Sequence, residues 1–401
     1  MGFVWILVAF YSAYMAVDLA ITIAQIGYIK RTRGEKAALL SDEDWLKAAD
    51  YQIESLRLGI FGRLYSLFCL VLWIFWGFNQ LNALISDSGF KAAFFISFYL
   101  IINSILHLPF RYYETFRIDQ KFGFNKSTKK LFFTDFIKQL TIVFIIAFLI
   151  TFAIPDNFSF QGYWWLYAFI FSMLFVVVVN LLLPLFAKLF NKFEPIDDTP
   201  LGEKIKTLLD RAGFSAKGVF KIDAAKRDAR LNAYFAGLGK TKRVALYDTL
   251  IEKLSEKEIL AVLGHELGHF KHKDIFKRIG AIGIVLFSAF ALLGFVGENF
   301  YVAFEALNLP QKIYILVAFL LIVIEPIVFF ARPFINAFSR RAEFAADVYG
   351  AKLTDKADLK SALTKLVIEN RSYPRKYPIY ALWNESHPNI LTRIERLEID
   401  G

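Results

Sequence analysis

Two of the five histidines in this 401-residue chain stand four residues apart, in the run His265-Glu266-Leu267-Gly268-His269. Positions i and i+4 share one face of a helix, so the two imidazoles can bring nitrogens onto a single metal ion. Glu266, between them, can reach a water on that metal and act as general base. Zinc supplies the Lewis acid that makes water nucleophilic near neutral pH, so the chemistry implied is peptide-bond hydrolysis with one zinc per chain. Ser255-Glu256-Lys257-Glu258 has capping-box spacing directly before an apolar-periodic stretch, which predicts a helix from there through Phe270.

A catalytic zinc needs a third protein ligand and one open position. The candidate is Glu343, in the run Ser339-Arg340-Arg341-Ala342-Glu343-Phe344-Ala345-Ala346-Asp347, which follows a long apolar stretch and should be helical. Asp347 lies one turn further on the same face, suited to accept a hydrogen bond from the second nitrogen of a ligand histidine. On pattern alone an ordinary salt-bridged helix, with Arg340 and Arg341 neutralising the acids, remains an alternative. His272 lies two turns along the axis from His265, too far to share the metal, and reads as a solvated residue between Lys271 and Lys273. His107, beside Pro109 in an apolar run, reads as hydrogen-bonded core.

The elements that must position these groups are set by a composition in which 56% of residues are hydrophobic and 17% aromatic, the profile of a polytopic membrane protein. Seven stretches approach the roughly 20 residues that a spanning helix needs: 3–29, 64–85, 91–110, 137–154, 163–187, 279–301 and 312–336. The first lacks a basic region or a small-residue cleavage site before Lys30 and should remain as an anchor. Cys69 is the single cysteine, which excludes an intrachain disulfide and a cysteine-based zinc site. Asp18, Gln25, Asn103 and Asn180 fall inside spans and should face the bundle interior or a watery cavity.

The net charge of +10 is a topology signal. Lys30, Arg31, Arg33, Lys36, Lys47, Arg57 and Arg63 follow the first span, and Arg111, Arg117, Lys121, Lys126, Lys129 and Lys130 follow the third. Connectors 86–90, 155–162 and 302–311 contain no Lys or Arg. The positive-inside rule then puts the N-terminus outside and the C-terminus in the cytoplasm. The charge is explained by the lipid bilayer as partner, with no nucleic acid required. The expected architecture is a mainly α-helical polytopic membrane protein with a split cytoplasmic zinc domain: spans 1–187, first part 188–278, spans 279–336, second part 337–401. Within the first part, Leu201 to Ala212 reads as an amphipathic helix, and Gly218 to Asp223 and Val244 to Tyr247 as strands of a small sheet. Asp228 to Gly237 reads as extended, leading into a Gly237-Leu238-Gly239-Lys240 turn.

Further runs recur in a recognisable order. Leu108-Pro109-Phe110-Arg111-Tyr112-Tyr113, Phe122-Gly123-Phe124-Asn125-Lys126, Leu185-Phe186 through Phe193-Glu194-Pro195, Asn232-Ala233-Tyr234-Phe235, Leu246-Tyr247-Asp248-Thr249-Leu250, Arg340 to Asp347 and Ser386-His387-Pro388 accompany the histidine motif. Together they make nearly the whole chain resemble the integral-membrane type I CAAX prenyl proteases, seven-span zinc metallopeptidases. The resemblance implies a gluzincin-like site with zinc on His265, His269 and Glu343, Glu266 as base and Asp347 supporting a ligand. It implies a water-filled chamber within the spans, capped on the cytoplasmic side. It also implies that Asn232 and Ala233 lie on a segment that pairs with substrate backbone, and that His387 donates to the developing oxyanion. Without it, Asn232 reads as a turn residue and His387 as a loop residue.

The substrate implied is a C-terminal CAAX-type peptide, prenylated or plain, or another membrane-associated peptide. A general quality-control metalloprotease with no prenyl requirement is the runner-up. A zinc-stabilised transporter or scaffold is disfavoured, because a structural site is usually closed by four protein ligands and three are found. An intramembrane protease is disfavoured because Lys271, Lys273 and Asp274 follow the motif directly. Abundant Phe, Ile and Lys favour a bacterial inner membrane over the endoplasmic reticulum.

Overall fold

The computed structural model describes residues 2–152, 162–236, 242–295 and 297–399, and the expected turn at 237–240 lies outside them. Among the described residues, seven helices are long and apolar enough to cross a membrane. The first five are α1 (Gly2–Thr32), α2 (Asp42–Leu84), α3 (Lys91–Asp119), α4 (Lys129–Phe152) and α5 (Trp164–Phe190). The stretch after α1, expected as a basic loop up to residue 63, is mostly helix. Ser41 caps α2 by accepting from the Asp44 N–H, and Asp42, Glu43 and Asp44 place negative charge at the positive end of the helix dipole. Trp45, Ala48, Ala49 and Ile53 then recur at helical spacing and bury against Ile29 of α1 and against Val367 and Tyr373. Hydropathy locates the lipid-facing half of such a helix and misses the half that packs on protein.

After α5 the chain leaves the spans as β1 (Phe193–Pro195), α6 (Pro200–Arg211), β2 (Val219–Ile222), β3 (Ala233–Ala236), β4 (Arg243–Tyr247), α7 (Asp248–Lys253) and α8 (Glu256–Lys271). The sheet order is β1-β2-β4-β3, with β2 and β4 parallel and the outer pairs antiparallel, so β3 is an edge strand. Ile205, Leu209, Val219, Val244, Leu246, Ile259 and Leu263 join sheet, α6 and α8 in one core. The expected extended run 228–237 divides: Asp228 forms an isolated bridge with Asn125, and only Ala233–Ala236 enters the sheet. β1 is a strand that alternation could not reveal, because it is three residues long and ends in proline.

Lys273, left-handed at φ 57°, turns the chain from α8 directly into α9 (Asp274–Phe295). α10 (Glu298–Ala306) is a separate helix where the sixth span was expected to continue. α11 (Ile313–Leu353) runs 41 residues, about 60 Å, through Pro326 and Pro333 without a break at 336. α12 (Lys356–Glu369), α13 (Pro378–Asn384) and α14 (Ile390–Ile399) complete the fold. α13 is tied to α1 and α11: the Tyr377 N–H donates to Gln25 Oε1 at 2.7 Å, and Asn336 Nδ2 donates to the Trp383 carbonyl at 2.8 Å.

Polar groups within the spans face one another. Tyr14 donates to Glu325 at 2.9 Å, and Arg63 pairs with Asp18. Trp73 Nε1 donates to Asn103 at 3.1 Å, while Asn180 turns back to the Val176 carbonyl of its own helix. His107 contacts the Asn103 carbonyl at 2.9 Å and Ser66 at 3.0 Å, which makes it hydrogen-bonded core.

Candidate metal centre

The site forms where α8 crosses α11 at backbone contact. A Cβ on Gly268 would lie 2.7 Å from Ala346 Cα, and one on Gly350 would lie 2.7 Å from the backbone nitrogen of His265. Glycine inside the histidine motif is therefore a packing requirement, and the close approach points His265 and His269 at Glu343. His269 Nε2 lies 3.2 Å from Glu343 Oε1 and 3.2 Å from His265 Nε2, and His265 Nε2 lies 3.5 Å from Glu343 Oε2.

Those spacings can be tested against a metal. Ligand atoms about 2.0–2.1 Å from a tetrahedral cation lie about 3.3–3.4 Å from one another, close to the separations found. The donor set, two imidazoles and a carboxylate, suits a divalent cation of the late first row. Glu343 Oε2 is buried and lacks a hydrogen bond of good geometry among the described residues, although His387 Nδ1 approaches to 2.9 Å. A buried, under-satisfied carboxylate oxygen facing two imidazoles fits a cation well.

The remaining imidazole nitrogens are held from behind. His265 Nδ1 lies 2.8 Å from Asp347 Oδ1, and His269 Nδ1 lies 3.0 Å from Asp274 Oδ2. These contacts aim both Nε2 atoms at the metal position. Asp347 is in turn gripped by Arg393, with Nε at 2.8 Å from Oδ2 and Nη2 at 2.6 Å from Oδ1. Arg393 Nη1 also lies 3.3 Å from Glu343 Oε2. Around the histidines, Glu266, Glu343 and Asp347 face one buried guanidinium, while Asp274 is paired with Lys277 at 3.2 Å, which leaves an excess of negative charge that draws a cation. Burial alone would lower the pKa of His269, but its hydrogen bonds to Glu343 and Asp274 prevail and push it up to about 9.

Of the residues singled out from the sequence, His265, His269, Glu343, Asp347 and His387 come together. Glu266 lies half-buried on the same helix, between the two histidines. Asn232 is exposed just before β3, its carbonyl accepting from the Tyr247 N–H at 3.1 Å, and the Ala233 side chain is buried beneath the sheet. His272 ends α8 with its ring edge-on to Tyr349. Arg340 does not neutralise Glu343: its guanidinium donates to the Glu385 carbonyl at 2.8 Å. Arg393 escaped the sequence reading, and Asp274 entered it only as a sign that the motif lies outside the hydrocarbon, not as the partner of His269. Arg393 left one signal: in α14 it shares the buried face with Ile394 and Leu397, an unusual place for a charge.

Residues 195–399 match the family model described as Peptidase family M48, and residues 25–192 match that described as CAAX prenyl protease N-terminal, five membrane helices. CAAX prenyl protease 1 of Saccharomyces cerevisiae is 30% identical over 394 residues, covering 90% of this chain and 86% of the relative. The homolog of Homo sapiens is 29% identical, covering 74% of this chain and 71% of its own. The crystal structure of S. mikatae Ste24p superimposes with a TM-score of 0.88 at 27% identity, covering 98% of both chains. Its likeness covers the seven candidate spans as well as the protease region. The chain belongs to peptidase family M48 and is a multi-pass, membrane-embedded metallopeptidase.

Proposed function

We propose that this metallopeptidase cleaves CAAX-type, prenylated peptides near their C-termini, with one zinc ion held by His265, His269 and Glu343. The observation that carries the reading is the set of ligand-atom separations, 3.2 to 3.5 Å, at a helix crossing too tight to relax. Zinc at that position would supply Lewis-acid polarisation and lower the pKa of water. Glu266, on the same helix between the two histidines, takes the proton from the attacking water and passes it to the leaving amine. His387, whose side chain is mostly exposed beside Glu343, donates to the oxygen that gains charge. The substrate backbone adds as a further strand to the edge of β3. Ala233, whose main chain alternates away from β4 while the Asn232 carbonyl is taken by Tyr247, holds it there, with Asn232 exposed beside it and the Ala233 side chain turned into the core.

Residues 188–278 and 337–401 act as one split catalytic domain on the cytoplasmic side, a placement supported by the basic residues that follow the first and third apolar stretches. The relatives named above are eukaryotic, whereas abundant Phe, Ile and Lys suit a bacterial genome, and the active site faces the cytoplasm in either membrane. The discriminating experiment uses purified protein with farnesylated and plain forms of one peptide. Glu266→Gln should retain zinc and lose cleavage, and the farnesylated peptide should be cut faster. Cleavage persisting in Glu266→Gln overturns the mechanism, and equal rates on the two peptides favour a quality-control protease.

A further inference from the structure

The run Phe122-Gly123-Phe124-Asn125 has no part in the chemistry above, yet it carries the segment that leads into β3. The Ala229 N–H donates to the Phe124 carbonyl at 3.0 Å, and the Lys126 N–H to the Arg227 carbonyl at 3.0 Å. Two arginines then clip this strap, residues 227–232, to four spans. Arg227 forks onto Asp135 of α4, with Nε and Nη2 at 2.6 and 3.0 Å, and reaches Asn191 at the end of α5 at 3.1 Å. Arg230 Nη2 donates to Tyr51 of α2 at 2.6 Å and to Asp119 of α3 at 2.7 Å, while Nη1 donates to Asp228 at 2.6 Å. The Arg230 guanidinium also lies 4.3 Å from the Phe124 ring centroid.

The main chain beyond Arg230 is engaged on its inner side. The Arg230 carbonyl accepts from Thr249 at 3.0 Å, and Leu231 is bound through both its N–H and its carbonyl by Asn370, at 2.8 and 3.3 Å. Nothing in this strap is regular secondary structure, so its path is set by these anchors. A guanidinium that forks between two spans two residues before Asn232 is a register pin.

We infer that Arg230 is a positioning residue: through Tyr51 and Asp119 it locks the substrate-pairing edge of β3 to the cytoplasmic ends of α2 and α3. The inference rests on the reading of β3 as the substrate edge. The side chain touches no reacting group, so its loss acts on substrate binding and spares the metal and the bond-breaking step.

The test uses the full chain in nanodiscs, with Arg230→Ala, Asp119→Asn, the double variant and Arg230→Lys. Arg230→Ala should raise KM for a peptide substrate about tenfold, with kcat within about twofold and metal content unchanged. The double variant should be no worse than the more damaging single one, because both break the same link. Arg230→Lys keeps the charge without the fork and should raise KM by about threefold. Hydrogen exchange gives an arm independent of activity: Arg230→Ala should speed exchange in residues 231–236 about fivefold or more and leave α8 unchanged. Unchanged exchange in 231–236 overturns the inference, as do additive single effects or a joint fall of kcat and metal content. Should the wild-type protein cut no peptide, the reading of its function fails, and the exchange arm alone decides whether Arg230 holds the strap.

Discussion

α8 and α11 supply all three candidate ligands, yet they are built in opposite ways. α8 has 16 residues and a reciprocal cap: the Ser255 N–H donates to Glu258 Oε2 at 2.7 Å, while Ser255 Oγ accepts from the Glu258 N–H. Glu258 is buried and also accepts from Ser361 at 2.6 Å and Lys365 at 2.8 Å of α12. α11 has 41 residues, no side-chain cap at its start and two internal prolines, and its first half is committed to the bilayer. The short helix is held by local bonds at its own end. The long one is held by what it packs against, so Glu343 is placed by contacts that begin far from the metal. The crossing is where these two kinds of support meet, and breaking it should do the most damage.

Gly268→Val puts a branched side chain against the Ala346 backbone, which has no rotamer with which to yield. The expected result is loss of nearly all bound metal, with activity falling at least about a thousandfold, read by elemental analysis and peptide cleavage. Gly280→Ala is the matched control, since a Cβ there meets nothing within 4 Å, and it should be neutral or slightly stabilising. Equal damage from both would mean that the crossing is not what aligns the ligands.

Next in size is the support behind the ligands. Arg393→Met would leave Asp347 and Glu343 buried with their cation removed, at a cost of about 3–5 kcal/mol. Asp347→Asn keeps the shape but removes the charge behind His265 Nδ1, and should weaken zinc binding about 10- to 100-fold in chelator competition. Wild-type zinc affinity in Asp347→Asn would show that the helix crossing alone orients His265.

The tie between α8 and α12 should appear as a pH dependence. Burial alone would raise the pKa of Glu258, but bonds from Lys365, Ser361 and Ser255 hold it down at about 2 against an ordinary 4.5. A folded-state pKa below the unfolded value contributes stability that is complete above pH 4.5 and is lost as pH falls toward 2. Glu258→Gln should therefore melt lower than wild type at pH 6, by about 2–3 kcal/mol, and the two curves should converge in acid. A gap that stays constant from pH 6 to the acid limit would remove the charge from the explanation.

The same contrast explains what could be read from the sequence. α8 announces itself because its cap, its periodicity and its paired histidines all lie within one short window. Seven spans were readable because lipid imposes a length and a polarity on each. The early start of α2 was not, since Trp45 and Ala48 bury against residues more than 300 positions away. Arg393 was hidden for the same reason: a buried arginine is recognisable only once Asp347 and Glu343 are seen beside it. Glu343 was singled out by residue type and by resemblance. What placed it, the unbroken run of α11 through residue 336, has no local sign, because a helix that leaves a membrane without a cap looks like a span that has ended.

The smallest expected effect tests how far the local support of α8 extends. Ser255→Ala removes the acceptor for the Glu258 N–H, a bond already long at 3.4 Å, and leaves the 2.7 Å bond from the Ser255 main chain to Glu258 Oε2 intact. The cost should therefore fall at the low end for a cap, about 0.5–1 kcal/mol, with zinc content and kcat unchanged. Glu258→Gln should cost more, because its carboxylate also bonds Ser361 and Lys365. If thermal melting ranks them the other way, α8 is held chiefly by its own first turn. The anchor on α12 would then be secondary, and the helix bearing the two histidines would be self-supporting where the helix bearing Glu343 is not.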